Sequence, residues 1–143
     1  MTRRIAPPAL LLLLLAACGG GALDPASRRV PGVIDTGGGE DRALVVPDTV
    51  AAGAPFTATV TTFGSSSCTR PDGAGLEVRG LLAEVVPYDR DATGVQVCTD
   101  DLRPFPRDVT VRFASPGRAA VRVRGRDLRG RPATVEASVV VRP

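Results

Sequence analysis

Between residues 56 and 61 the chain alternates strictly: Phe56, Ala58 and Val60 interleave with Thr57, Thr59 and Thr61. The same period returns where Val109, Val111 and Phe113 flank Thr110 and Arg112. Ala119, Val121 and Val123 likewise flank Ala120 and Arg122, and Val135, Ala137, Val139 and Val141 flank Glu136 and Ser138. Successive strand side chains point to opposite faces, so each run predicts a half-buried strand with its apolar set on a core. Leu44–Pro47, Leu76–Arg79, Leu81–Tyr88 and Val95–Cys98 read as further strands. No ten-residue window carries a helical stripe. The spacing predicts an all-β protein: a small antiparallel β-sandwich of about seven to eight strands occupying residues 43–143.

Upstream the pattern changes. Arg3 and Arg4 precede an almost wholly apolar stretch, Ile5 to Ala17, in which Leu10 to Leu15 is unbroken. A spanning helix needs about 20 apolar residues, whereas a signal-peptide apolar region needs about 7–15. Residues 1–17 therefore read as a signal peptide. Residues 18–42 hold seven glycines and no sustained periodicity. They predict a disordered, Gly-rich tether with an r.m.s. reach of about 25–30 Å. A phosphate-cradling glycine loop would need a strand before it and a helix after it, and the pattern offers neither.

Composition narrows the chemistry. All 18 basic residues are arginine, and the chain contains no histidine, lysine or tryptophan. Ser–His and Cys–His catalysis, Schiff-base lysines and histidine-ligated metals are excluded. Ser65, Ser66 and Ser67 accordingly lack a base of the usual kinds, and no pair of carboxylates stands with aromatic sugar platforms. The expectation is a protein without enzymatic activity and without a cofactor. Net charge is +3, but removing Arg3 and Arg4 with residues 1–17 leaves 16 arginines against 15 acids, a net of +1. So even a balance gives no reason to expect a nucleic-acid partner.

Leu15-Ala16-Ala17-Cys18-Gly19 resembles the lipobox of bacterial lipoproteins. The resemblance implies cleavage before Cys18, diacylglycerol (palmitate-type) modification of its thiol, and membrane attachment through that anchor. It also implies a location in the bacterial cell envelope. Gly19 stands where an aspartate would favour inner-membrane retention, which points to the outer membrane. With Cys18 lipidated, Cys68 and Cys98 remain as one pair, and in an oxidising compartment such a pair forms a disulfide more readily than a metal site. Two further segments, Val50-Ala51-Ala52-Gly53-Ala54-Pro55-Phe56 and Phe113-Ala114-Ser115-Pro116-Gly117, resemble turns of bacterial immunoglobulin-like domains. They imply an immunoglobulin-like sandwich. The chain departs from antibody-type domains in lacking a core tryptophan and in the placement of its cysteines; Cys68 follows the second strand, so a bridge to Cys98 would staple one end.

Two constellations remain. Asp89, Asp91, Thr93 and Gly94 resemble the first half of a calcium loop, with Asp100 at its closing position; the competing reading is a polar hairpin turn. Arg118, Arg122 and Arg124 fall on the outward face of one strand, opposite Val121 and Val123. They form a candidate anion-binding row for phosphate or lipid headgroups, or else a solvated face that pairs with the acids of residues 84–108. The sequence thus predicts a lipid-anchored binding or structural module of the cell envelope, its partner an envelope protein or an anionic polymer. An anion-binding module using the arginine strand is the alternative, ahead of a calcium-dependent module or an enzyme.

Overall fold

In the computed structural model, which describes residues 27–35, 42–94 and 97–143, the period-two runs become strands of two packed sheets. Cys18, the lipobox and the signal-peptide segment lie outside the described residues. Within the described residues ten strands follow in order: β1 (Ser27–Pro31), β2 (Val33–Asp35), β3 (Leu44–Val45), β4 (Thr49–Ala51) and β5 (Pro55–Gly64), then β6 (Arg70–Arg79), β7 (Leu82–Ala92), β8 (Arg103–Arg112), β9 (Gly117–Asp127) and β10 (Pro132–Arg142). The described residues contain no helix. The smaller sheet runs β3-β5-β8. The larger runs β6-β7-β9-β10-β4, with β1 added to β7 and β2 to β9.

The all-β sandwich is the expected class, with three departures. First, the described residues form ten strands, and the larger sheet is mixed: β7 pairs β9 in parallel (Ala83 opposite Val121, Val85 opposite Val123), as do β4 with β10 and β2 with β9. Short alternating runs specify faces, not the direction of a neighbour. Second, residues 27–35, which the glycine content assigned to a tether, are strands, so the folded unit begins well before residue 43. Their partners lie more than 50 residues away on β7 and β9, beyond the reach of local pattern. Third, Val97 and Cys98 belong to no strand.

Alternation placed the core correctly. Ala58, Val60, Ala83, Val85, Val111, Val121, Val123 and Val139 are fully buried, and Phe113 closes the far end against Phe56 at 5.8 Å between ring centres. Valine and alanine fill the space that larger aromatics occupy in many sandwiches. Both segments that resemble turns hold a glycine at positive φ, Gly53 at 76° and Gly117 at 145°, where a Cβ would be strained.

The tail strands are fitted into a split. β9 pairs β7 only along residues 82–85 of β7, and beyond that the two strands part. β1 then pairs residues 88–92 of β7, while β2 pairs the end of β9. Gly32 sits at the apex between them. Its N–H donates to the Pro87 carbonyl at 2.8 Å, and its own carbonyl accepts from the Arg126 N–H at 3.0 Å. A Cβ on Gly32 would collide with Thr62 and stand 2.6 Å from Asp89 Oδ2; one on Gly125 would stand 2.6 Å from the Gly32 carbonyl. Two glycines therefore admit the wedge. Gly32→Ala should lower unfolding free energy by about 1–3 kcal/mol, the usual cost of overpacking. Gly75→Ala, whose Cβ would meet Tyr88 at an ordinary 3.6 Å, should change it by less than about 0.5 kcal/mol when both variants are unfolded in urea.

Candidate functional site

Along β7 the inward row begins Ala83, Val85 and Pro87, then turns acidic at Asp89 and Asp91. The facing strand β8 changes in the same place, with Arg107 following the apolar Val111 and Val109. Arg107 crosses between the sheets. Its Nη2 donates to Asp89 Oδ1 at 2.7 Å and to Thr62 Oγ1 at 2.5 Å, and its Nη1 donates to the carbonyls of Gly73 and Tyr88, each at 2.7 Å. Thr62 in turn donates to Asp89 Oδ1 at 3.0 Å. The Asp89 side chain is 1% exposed and that of Arg107 12%. Next along, Asp91 takes Arg126 Nη2 at 2.5 Å and the Thr69 hydroxyl at 3.3 Å.

This arrangement corrects the calcium-loop reading. Asp89 and Asp91 are strand residues, and each carboxylate is occupied by an arginine from another strand. Thr93 follows the end of β7, and Asp100 lies in the irregular stretch before β8. Among the described residues no three or more Asp, Glu or Cys side chains gather as a metal site. Sequence spacing grouped these acids because it carries no record of what stands across the sheet.

Over the polar cluster, Cys68 and Cys98 form a disulfide with their Cα atoms 5.6 Å apart. Cys68 lies in the link from β5 to β6, and Cys98 in the link from β7 to β8. Both links carry the chain from one sheet to the other, so the bridge staples one end of the sandwich. The Ser67 and Thr99 backbones also meet across these links, N to O at 2.9 Å.

Outside the larger sheet, parity places the arginine row as expected, but its charge is not free. Arg122 lies opposite Glu84 on one neighbouring strand and Glu136 on the other, at 3.7 Å and 2.8 Å. Arg118 and Arg124 have no carboxylate partner among the described residues and stand about 20 Å apart along the strand at ~3.3 Å per residue. A shallow groove of about 260 Å³ lies beside Arg124, floored by Gly75 and Val86 and walled by Glu77, Glu84 and Tyr88. Sequence patterning did not signal it, since its residues come from three strands. The Tyr88 ring carries the Arg29 guanidinium 3.8 Å from its centre. Arg29 and Arg90 sit opposite each other, and a bulge in β6 inserts Asp72 between them, 3.0 Å from Arg29 Nε and 3.4 Å from Arg90 Nε.

At the β9–β10 turn the Arg131 N–H donates to Asp127 Oδ1 at 2.9 Å, and the Arg129 N–H does the same at 2.9 Å. The Arg131 amide chiefly holds the Asp127 carboxyl below its ordinary value, against some desolvation. The Arg131 side chain adds to the effect with a 2.7 Å contact.

Compared with known proteins, the chain matches no family model, no curated protein and no solved structure. Three outcomes follow from the geometry. Arg107→Met, which strands Asp89 in the interior, should cost about 3–5 kcal/mol, and pairing it with Asp89→Asn should recover part of that in a double-mutant cycle. Reducing Cys68–Cys98, which closes a loop with sequence separation 30, should cost about 3–4 kcal/mol in the chain-entropy model. Because the folded Asp127 pKa is lowered, its contribution is complete above the ordinary aspartate value of about 3.9 and disappears as pH falls through the folded value. Wild type should therefore lose stability more steeply than Asp127→Asn in acid unfolding curves below about pH 4.

Proposed function

We propose that this chain is an exported bacterial lipoprotein, anchored through Cys18 in the cell envelope, whose β-sandwich serves as a non-catalytic binding or structural module. The observation that carries the reading is the distribution of its cysteines. Cys68 and Cys98 take each other, and the third, Cys18, follows the apolar run and the small residues Ala16 and Ala17. A disulfide in a domain of this size belongs to an oxidising compartment, which a signal peptide reaches. Attachment by two or more acyl chains holds a protein stably on a membrane. Gly19 favours the outer membrane over the inner.

The module reading is supported by how the charged groups are used. Most acids of the described residues are spent on arginines, within the interior cluster and across the strands of the outer face. The groove beside Arg124 sets two carboxylates, one guanidinium and a tyrosine around a largely apolar lining, which suits a mixed apolar and charged patch of an envelope partner. The anion-binding alternative at Arg118, Arg122 and Arg124 is weakened, because Arg122 is matched by two glutamates and the other two are too far apart to grip one anion. Growth in radiolabelled palmitate tests the anchor. Label should enter the wild-type protein and be lost in Cys18→Ala; an unlabelled wild type, or a labelled variant, overturns the reading.

A further inference from the structure

The parallel pairing of β7 with β9 gathers several loops at one end of the sandwich. β1 begins at Ser27, directly opposite Ala92 at the end of β7. Because β9 runs alongside β7 in the same direction, its own end and the turn through Leu128 and Arg129 lie at that end too. The disulfide brings the links around Cys68 and Cys98 to the same place. Three of the large exposed apolar residues are here: Val97 at 101% exposure, Leu102 at 52% and Leu128 at 47%.

The charges at this end are unequal once pairs are removed. Asp101 takes Arg103 at 2.5 Å, and Asp127 takes Arg131 at 2.7 Å. Arg70 is held only by the carbonyls of Ser67 and Thr69, at 2.6 and 2.9 Å. Arg28 and Arg129 have no side-chain partner among the described residues. Asp100 is left unpaired at this end, and Asp35, which lies opposite Asp127, is a further acid here. Covalent geometry adds a distance limit: from Cys18 to Ser27 the chain can reach about 30 Å at most, even fully extended. It joins the fold at this end and nowhere else.

We propose that this end of the sandwich docks on the bilayer that holds Cys18. Val97, Leu102 and Leu128 enter the interfacial zone, and Arg28, Arg70 and Arg129 meet anionic phospholipid headgroups. The inference rests on the lipid-anchor reading and adds an orientation to it: strands stand away from the membrane, and the outer groove faces sideways.

The chain contains no tryptophan, so single-tryptophan reporters are unambiguous. Leu128→Trp and Val97→Trp probe the docking end, and Ser115→Trp probes the exposed turn at the opposite end. Each full-length protein is purified in its acylated form and reconstituted into mixed phosphatidylethanolamine–phosphatidylglycerol vesicles, with and without brominated acyl chains. Indole emission from the Leu128→Trp and Val97→Trp proteins should shift to the blue and be quenched by bromine, while that from Ser115→Trp should do neither. Adding Arg28→Glu and Arg129→Glu to the Val97→Trp protein should reduce its quenching in these vesicles and leave it unchanged in phosphatidylcholine alone; unchanged quenching in both would overturn the headgroup contact. The mass of the Cys18 peptide separates the two readings. Acylated protein whose reporters at positions 97 and 128 stay unquenched overturns docking alone, whereas an unacylated Cys18 overturns the anchor and the docking with it.

Discussion

Arg107 reaches from the smaller sheet to Asp89 in the larger one, at the level where the apolar core ends, and the surrounding structure is arranged around that contact. Two charges so little exposed lose most of their hydration, and only a complete set of partners makes the arrangement tolerable. Thr62 and the carbonyls of Gly73 and Tyr88 supply most of that set, while Asp89 Oδ2 and Arg107 Nε are left buried without a hydrogen-bond partner. The pair consequently dictates register. Slipping β7 by one residue would turn Asp89 outward and bring the bulky Tyr88 under the sheet, away from Arg107. The bulge in β6, the close approach of Gly32 and the stapled links all lie around Asp89.

The second constraint is steric. β7 and β9 separate, and the gap is filled by backbone, since β1 and β2 enter as a narrow wedge with glycine at both tight contacts. Filling a gap this way satisfies the open hydrogen-bonding edges of two strands at once. It also commits the N-terminal segment to the fold. The domain therefore begins at least as early as Ser27, leaving residues 19–26 between its first strand and Cys18, far fewer than a tether extending to residue 42 would provide. A lipid anchor joined so closely would control orientation as well as location.

Arginine performs several distinct tasks in this chain. Arg107 and Arg126 neutralise interior acids, Arg122 ties three strands across the outer face, and Arg29 stacks on Tyr88 while sharing Asp72 with Arg90. The planar guanidinium suits each task, because it can make several directed hydrogen bonds or lie flat on a ring. A count of arginines near one strand overstates the charge available to a ligand, since pairing across strands consumes much of it. Of the unmatched arginines, Arg28, Arg70 and Arg129 lie at the end where the chain enters, whereas Arg112, Arg118 and Arg142 lie at the opposite end.

Alternation was enough to establish the all-β class and the inward faces of β5, β8, β9 and β10, and Pro116-Gly117 marked one turn, because strand periodicity and turn chemistry are local. The pairing of Cys68 with Cys98 was also legible, by elimination once Cys18 is set aside. The tertiary structure alone decided the parallel neighbours of β9, the incorporation of residues 27–35, and the fate of Asp89 and Asp91. It alone assembled the groove from β6, β7 and β9. The physical reason is the same throughout. A side chain's parity is encoded within its own strand, whereas its hydrogen-bonding and ionic partners are set by strands tens of residues away.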